Sequence, residues 1–560
     1  MLSPFTASLS PPERRCVLAI IALHILFISL PYLWTLLVTP DGFAYGGLLY
    51  NPDDQNVHLS WARQAAEGHF FFRDLFTSES LISGERPLFT NLLCWLIGVL
   101  SALTTIPIIW VYHLLRVFFA AATLALFHGL STRLTPDRRI RIVALALVAF
   151  SGGGGFLAPT LAPILNGRNW MDRADNAGFP MMPEAFTFLS ASIFTLNIAS
   201  MALLLATYFC CVRAWETGAK KFAVGASVST LLLANIHTYD VFPLLLAITA
   251  WAIFQFKTAR EESTEDRSTP HRRFWFLPFV YIGAAIPVLY QLVVFRGSEE
   301  FRIKALTRTP APPLLDVLIS YGPLLALAIA GGVLALRAKD KFQAQTLLPI
   351  LWAIATLLLI YAPVSFARKM IEGLHLPLCF LAAIGIVALV SKLNSQVLRR
   401  VAAAGVLGVL SLSSYNYLVW SLENARDNNN ARAGVLMPPL YLTTADSGAL
   451  QFLETLPRGK IVLSLPFIGN YIPRESGQNA FIGHWAETLH FKQKIGPVFN
   501  FYSGKMNEEQ ARLWLKENRI DYVFFGSYEK QLNGKLPLEL PVAHADGADE
   551  NGTTIYAAPF

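Results

Sequence analysis

The residues of this chain that could do chemistry are charged groups set among apolar ones. Asp53 and Asp54 stand side by side in "YNPDDQNVHLSWARQ", directly after the first long apolar run. Pro52 stiffens the approach, and the stretch that follows suits a helix, with Val57, Trp61 and Ala65 four apart on one face. An aspartate at such a start serves as a helix cap. Capping needs only one of the two, however, and carboxylates at a membrane surface invite a function. A second group is cationic: Arg296, Arg302, Lys304 and Arg308 in the loop 295–313, Arg86, and Arg368 with Lys369 in "FARKMIEGLH", where Glu372 and His375 stand beside them. Such cations suit an anionic partner, a lipid phosphate for example; for the loop, Glu299 and Glu300 are the local alternative. Arg116 lies inside an apolar run, in "VYHLLRVFF", where an arginine must face the protein interior or a polar cavity. Its partner there is either a ligand's phosphate or carboxylate, or an acid in a structural ion pair. Glu184, after "FPMMP", either caps a helix or lines a cavity, and His237, Tyr239 and Asp240 form a compact polar turn that either binds a ligand or only turns and caps. Two carboxylates together with Asp240 or His237 are able to hold a divalent cation, although nothing in the sequence demands one.

The elements that must position these residues are membrane spans. The chain has 560 residues, 54% hydrophobic and 15% charged, where a soluble domain carries about 25% charged residues. The apolar residues come in blocks near the roughly 20 residues that cross a bilayer, which makes this a polytopic α-helical membrane protein. The net charge of +7 reflects Lys and Arg collected in cytoplasmic loops, and no basic patch with interleaved aromatics suggests a nucleic acid. Cys16, Cys94, Cys210, Cys211 and Cys379 lie in or beside apolar runs without metal-ligand spacing, and no disulfide is implied. Gly152 to Gly155 lack a following Lys-Ser/Thr and so are not a phosphate loop.

Charge sets the orientation. The basic loops at 133–141, 213–221, 257–273, 337–341 and 392–400, and Arg14 and Arg15 before an uncleaved first span, should be cytoplasmic. All agree if the short apolar segment 88–103 lies at or dips into the outer face rather than spanning. About 11 spans then fall near 17–37, 107–130, 140–162, 186–212, 221–236, 240–256, 274–294, 314–336, 344–363, 374–391 and 400–420. The N-terminus is inside; the loops 38–106, 163–185 and 295–313 and a polar tail from about 421 to 560 are outside. The transmembrane domain is thus 1–420, and the tail 421–560 reads as a small extracytoplasmic α/β domain. "GKIVLSLPF" and "DYVFFGS" are strands and "MNEEQARLWLKENRI" is an amphipathic helix capped by Asn507. Within the tail, His484 and Glu487 in "IGHWAETLH" are placed to cover a site, and Asn551-Gly552-Thr553 matches a glycosylation sequon.

In order, the chain shows one span, a long outer loop with adjacent carboxylates, "LSWARQAAEG", "ERPLFTNLLCWLIG", a span carrying "YHLLRVFFAAATLALFHGLSTRL", and the basic turn "TPDRR". This layout resembles the GT-C superfamily of membrane glycosyltransferases, including bacterial relatives of protein O-mannosyltransferases and aminoarabinose transferases. "ARKMIEGLHLPLCFLAAIGI", "GHWAET" and "YVFFGS" look like multi-pass bacterial proteins grouped with them. The family shows Asp-Glu or Asp-x-Asp in this loop; here Asp-Asp precedes Gln55, so which aspartate acts stays open. The resemblance implies transfer of a hexosyl or pentosyl unit from a polyprenyl-phosphate donor to a glycan, lipid or protein acceptor at the outer face of the cytoplasmic membrane. The leaving phosphate is already an anion, so the step needs cations rather than a general acid, and the acceptor hydroxyl needs a base. Asp53 or Asp54 would be that base, and Arg368, Lys369 and any of Arg86, Arg116 and Arg302 would hold the phosphate.

Two other readings stand beside it. A transporter or flippase for a lipid-linked glycan would use Arg116 and the outer cations as a path, and should show internal repeats and broken central helices; no repeat is evident. A non-catalytic assembly protein would use the tail as a binding module.

Overall fold

The computed structural model describes residues 10–82, 84, 86–157, 182–262, 274–297, 299–305, 307–337, 342–427, 439–547 and 552–558. The basic loop 263–273, the outer segment 163–181, Glu85 and Asn551 of the sequon lie outside the described residues.

The apolar runs fold as helices because only a helix or a closed barrel satisfies its own backbone in lipid. Among the described residues, 7 helices are long and apolar enough to cross a membrane, and the pair Gln396–Leu410 and Leu412–Arg426, bent by 50°, makes up to 8. Each range read as a span does hold a helix, and the lower count comes from those that are short or broken. Arg138–Phe150 has 13 residues and stops before Gly153, which takes φ 69 where a Cβ would lie 2.2 Å from Ser320 O. Lys220–Ile236 has 17 residues. The range 344–363 holds only the shorter apolar helix Leu347–Leu359, whereas the range 186–212, though interrupted at Phe194, keeps its span as Thr195–Thr217. Leu92–Thr104, the segment expected not to span, has 13 residues. Its length of about 20 Å falls short of the roughly 30 Å hydrocarbon core.

The chain forms two compact units. The first takes in Met1–Leu30, His113–Gln291 and Arg308–Val419. In it Leu314–Arg337 packs on His375–Ser391 at backbone contact: a Cβ on Gly331 would lie 1.9 Å from Leu381 O, and one on Gly385 2.6 Å from Leu327 O. Small residues at such a crossing let two membrane helices approach closely.

The second unit takes in Pro31–Tyr112, Leu292–Thr307 and Trp420–Phe560, so that the loop after the first helix and the tail share one core. Strand β1 (Phe43–Tyr45) pairs antiparallel with β2 (Tyr441–Thr443). A second sheet holds β3 (Ile461–Leu463), β4 (Asn479–Ala480), β5 (Tyr522–Phe525), β6 (Val542–Asp546) and β7 (Thr553–Ala557) in the order β4-β3-β5-β7-β6. Its first three strands are parallel and the last two join antiparallel. Both faces of β5 are covered: Val523 and Phe525 enter one apolar cluster and Phe524 another, which is why it reads as an unbroken apolar run. The helix Glu508–Glu517 begins at Asn507 with a reciprocal capping box to Gln510.

Candidate functional site

The acid pair sits in the first turn of the helix Pro52–Ala66. Asn51 holds the N-cap position with φ 48 and no side-chain cap bond, so neither aspartate caps this helix. The helix is held on two sides. A Cβ on Gly98 of Leu92–Thr104 would stand 2.1 Å from Ala62 O, so only glycine permits that approach. From the tail, Arg474 donates to Asn56 Oδ1 at 2.9 Å and to Gly46 O at 2.6 Å, while Arg63 donates to Arg474 O at 2.7 Å.

Asp53 is buried, whereas the Asp54 side chain is half exposed. Both Asp54 oxygens have a named partner: Asn51 Nδ2 donates to Oδ2 at 2.7 Å, and His484 Nε2 stands 3.1 Å from Oδ1. The same imidazole nitrogen is 3.8 Å from Asp53 Oδ2, and Asp53 Oδ1 is buried without a hydrogen bond. The backbone N–H groups of Ala486 and Glu487 both donate to His484 Nδ1 at 3.1 Å. That leaves Nε2 to carry the ring proton and donate it to Asp54.

Burial, reinforced by the charge of Asp54, pushes the Asp53 carboxyl up to about 6. Burial opposes charge on His484, but the Asp54 hydrogen bond and the charges of Asp53, Asp54 and Glu487 outweigh it and draw the ring toward the imidazolium, to about 9. A second proton would have to displace both N–H groups from Nδ1, however, and the geometry fits the neutral ring. Beyond the histidine, Glu487 pairs with Lys304, whose Nζ also lies 2.8 Å from Asp74 Oδ2. Burial works against the Lys304 ammonium, but these two carboxylates hold it charged, above its ordinary value. The ammonium in turn keeps Glu487 below the usual carboxylate range against burial, whereas burial prevails at Asp74 and raises it. Lys304 is thus matched by protein acids. The group left facing outward is the Asp54 carboxylate, oriented from both sides and able to take a proton from a hydroxyl.

The structure draws His484, Glu487, Lys304 and Asp74 around the acid pair. Of these, the tail histidine and glutamate are legible as covering residues; Asp74, in "FFRDLF", carries no sequence signal. Arg86 and Arg302 are exposed residues of the same unit.

The remaining sequence candidates belong to the first unit. Arg116 is fully buried, with Nη1 donating to Ile28 O at 3.2 Å and Ala191 O at 2.6 Å and Nε 3.3 Å from His113 Nδ1. Those bonds join backbone to backbone rather than to an acid. His375 is equally buried, bonded to Ser151 Oγ at 2.9 Å and Thr187 Oγ1 at 3.0 Å. Lys369 lies over the Tyr239 ring at 5.1 Å, a cation–π contact, and Arg368 is anchored by its backbone N–H to Thr309 O at 3.1 Å. Glu184 is half buried in the turn Pro183–Ala185. His237, Asp240 and Glu372 meet one another, with His237 Nδ1 2.9 Å from Asp240 Oδ1 and 3.4 Å from Glu372 Oε2. An apolar cavity of about 450 Å³ opens in this unit between Leu314, Leu318, Leu325, Ile354, Leu358 and Leu378.

No protein-family model and no curated protein matches the chain. Solved structures do. ArnT from Cupriavidus metallidurans bound to undecaprenyl phosphate is similar with a TM-score of 0.54 at 13% identity, over 96% of this chain and 97% of that one. The Archaeoglobus fulgidus oligosaccharyltransferase in the apo form gives 0.54 at 12% identity, over 97% of this chain and 74% of that one. The AglB oligosaccharyltransferase of the same organism, in complex with an inhibitory peptide and a dolichol-phosphate, gives 0.52 at 13%, with the same coverage. At such identity the likeness is one of fold, and it runs through almost the whole chain, helices and tail alike. The protein is a multi-pass membrane protein that shares the fold of these ArnT and oligosaccharyltransferase structures.

Proposed function

We propose that the protein is a membrane glycosyltransferase that moves a sugar from a polyprenyl-phosphate donor to an acceptor hydroxyl or amide at the outer face of the membrane. The observation that carries this reading is Asp54: a half-exposed carboxylate fixed by Asn51 and His484, with the buried carboxyl of Asp53 behind it. The acceptor's heteroatom attacks the anomeric carbon while the bond from that carbon to the phosphate oxygen breaks. The phosphate leaves with the bonding electrons, the acceptor proton passes to Asp54, and a single displacement inverts the anomeric centre. A general base of this kind is worth about 10²- to 10⁴-fold in rate. Asp53 keeps the neighbourhood of Asp54 electronegative, and His484 aims the Asp54 oxygen.

Charge on the leaving phosphate calls for cations. Arg302 and Arg86, exposed residues of the unit that holds Asp54, serve that role in this reading. Lys304 does not, because Asp74 and Glu487 already neutralise it. The fold likeness supports a lipid-linked donor, since ArnT and AglB were solved with undecaprenyl phosphate and dolichol-phosphate. Taken by itself, the first unit's cavity, walled mainly by Leu, Ile and Val with Tyr321 and Tyr361 among them, suits a hydrocarbon chain.

The test is sugar transfer from radiolabelled polyprenyl-phosphate sugars in membranes holding wild type, Asp54→Asn or Asp53→Asn. Loss of transfer in the Asp54 variant, with the protein still folded, is the expected result. Full activity in both variants overturns the reading.

A further inference from the structure

Among the described residues, one group of three ligating side chains gathers its donor atoms within 4.8 Å of one another: His237, Asp240 and Glu372. All three are buried, at 8%, 2% and 1% exposure, which excludes the ordinary explanation of acids sharing a solvated surface. Their placement is built into the backbone. His237 ends the helix Lys220–Ile236 and Asp240 closes the 3-10 turn after it, so the two side chains stand three residues apart on one short turn. Glu372 follows the 3-10 turn Ala367–Ile371, and Gly373, at φ 81, redirects the chain immediately after it. Any side chain at Gly373 would be strained, and its Cβ would press to 2.5 Å of Leu204 Cδ2.

The atoms that face one another are not satisfied by hydrogen bonds. His237 Nδ1, both oxygens of Asp240 and Glu372 Oε2 are buried and have no hydrogen-bond partner. The 2.9 Å separation of His237 Nδ1 and Asp240 Oδ1 is close in distance but not aligned as a bond. The other side of the Glu372 carboxylate is occupied: Ser200 Oγ donates to Oε1 and so aims Oε2 back at the group. Glu372 also feels the negative charges of Asp240 and Glu184, with Lys369 as the opposing charge. An imidazolium on His237 could direct its Nδ1–H at a single oxygen, leaving the others unanswered. Buried carboxylates without partners cost several kcal/mol each. One cation among the three donors would satisfy all of them at once.

We propose that His237, Asp240 and Glu372 form a binding site for a divalent metal ion of the Zn²⁺ or Mn²⁺ class. A nitrogen together with carboxylate oxygens suits these ions better than Mg²⁺ or Ca²⁺, which are bound mainly by oxygen. Three protein ligands leave a position open to water or to an anionic oxygen such as a phosphate. Ser200 acts from behind, fixing the orientation of the Glu372 ligand. The site stands on its own geometry and holds whether or not Asp54 is the base of a sugar transfer.

The test uses the full-length protein in detergent, stripped by chelator and titrated with Mn²⁺ or Zn²⁺ alone. Two quantities are read: metal bound per chain after desalting, and the thermal midpoint. The expected results are one ion per chain, a higher midpoint with metal, and at least tenfold weaker binding in Asp240→Asn and in His237→Gln. Metal-free Asp240→Asn should melt at or above metal-free wild type, because it removes one uncompensated buried charge. A lower midpoint for that variant would mean that His237 and Asp240 form an ordinary ion pair, and would overturn the proposal. So would no stoichiometric binding of either ion, binding that persists in both Asp240→Asn and Glu372→Gln, or Mg²⁺ bound as tightly as Mn²⁺.

Discussion

Two clusters of acids in this molecule are built on opposite principles. Around Asp54 the protein answers most of the acids: Asn51 and His484 take the two oxygens of Asp54, and Lys304 joins Asp74 to Glu487, while Asp53 Oδ1 alone stays without a hydrogen bond. Around Asp240 the charges are held face to face, buried, with both Asp240 oxygens and Glu372 Oε2 unpartnered. A satisfied carboxylate that still reaches solvent is suited to proton transfer, since it has a fixed direction and an accessible edge. An unsatisfied buried set is suited to a cation, since only an ion of higher charge meets all its donors. Composition alone does not separate the two, because each combines a histidine with two or more carboxylates. What separates them is where the remaining valence of each oxygen points.

The sharpest way to break the comparison is to remove the carboxylate proposed as the proton acceptor. Asp54→Asn should lower the transfer rate by about 10²- to 10⁴-fold and Asp53→Asn by about tenfold, measured as initial rates in membranes. Equal losses would mean that the two carboxylates act as one unit. Next in size is Lys304→Met, which strands Asp74 and Glu487 as buried acids without a cation. It should cost about 3–5 kcal/mol, read from denaturant unfolding of the second unit; a change below 1 kcal/mol would show that the network is not closed as described.

A smaller effect follows from the Asp53 carboxyl. Its folded value, about 6, is raised above the ordinary 3.8 mainly by burial, so the folded state binds this proton more tightly than the unfolded chain. The contribution is present at low pH and is lost as pH climbs from about 4 through about 6, by up to about 3 kcal/mol. Asp53→Asn should therefore melt with wild type near pH 4 and above it at pH 8; parallel melting curves at both pH values would remove Asp53 as a strained acid. The smallest effect lies away from both clusters. Asn507→Ala deletes the capping box of Glu508–Glu517 and should cost about 1 kcal/mol without changing transfer, and a loss of activity there would couple this tail helix to the site.

Much of this architecture is legible in the sequence where the signal is local. Apolar blocks mark the membrane helices, Asn507 marks a helix start, and the runs around Ile461–Leu463 and Tyr522–Phe525 mark strands. Strands β6 and β7 escaped because "PVAHADG" and "TTIYAAP" are short, although Asp546-Gly547 and Asn551-Gly552 between them carry turn signals. The adjacent aspartates announce themselves; His484 is legible as a covering residue but not as the partner of Asp54, since it comes 430 positions later. Arg116 shows what a sequence withholds: a buried arginine asks for a partner, yet backbone carbonyls, which carry no sequence identity, supply two of its bonds. Asp240 and Glu372 meet through two 3-10 turns, elements too short for periodicity to reveal.

The pairing of Phe43–Tyr45 with Tyr441–Thr443 has a consequence in time. At roughly 5–20 residues per second of synthesis, the loop that bears Asp54 waits about 20–90 s for the strand that registers it and the histidine that aims it. During that interval most of the membrane helices are made, while Asp54 has Asn51 beside it but not yet His484. A chain cut before the tail lacks both the strand Tyr441–Thr443 and His484, and so the partner that holds Asp54 Oδ1.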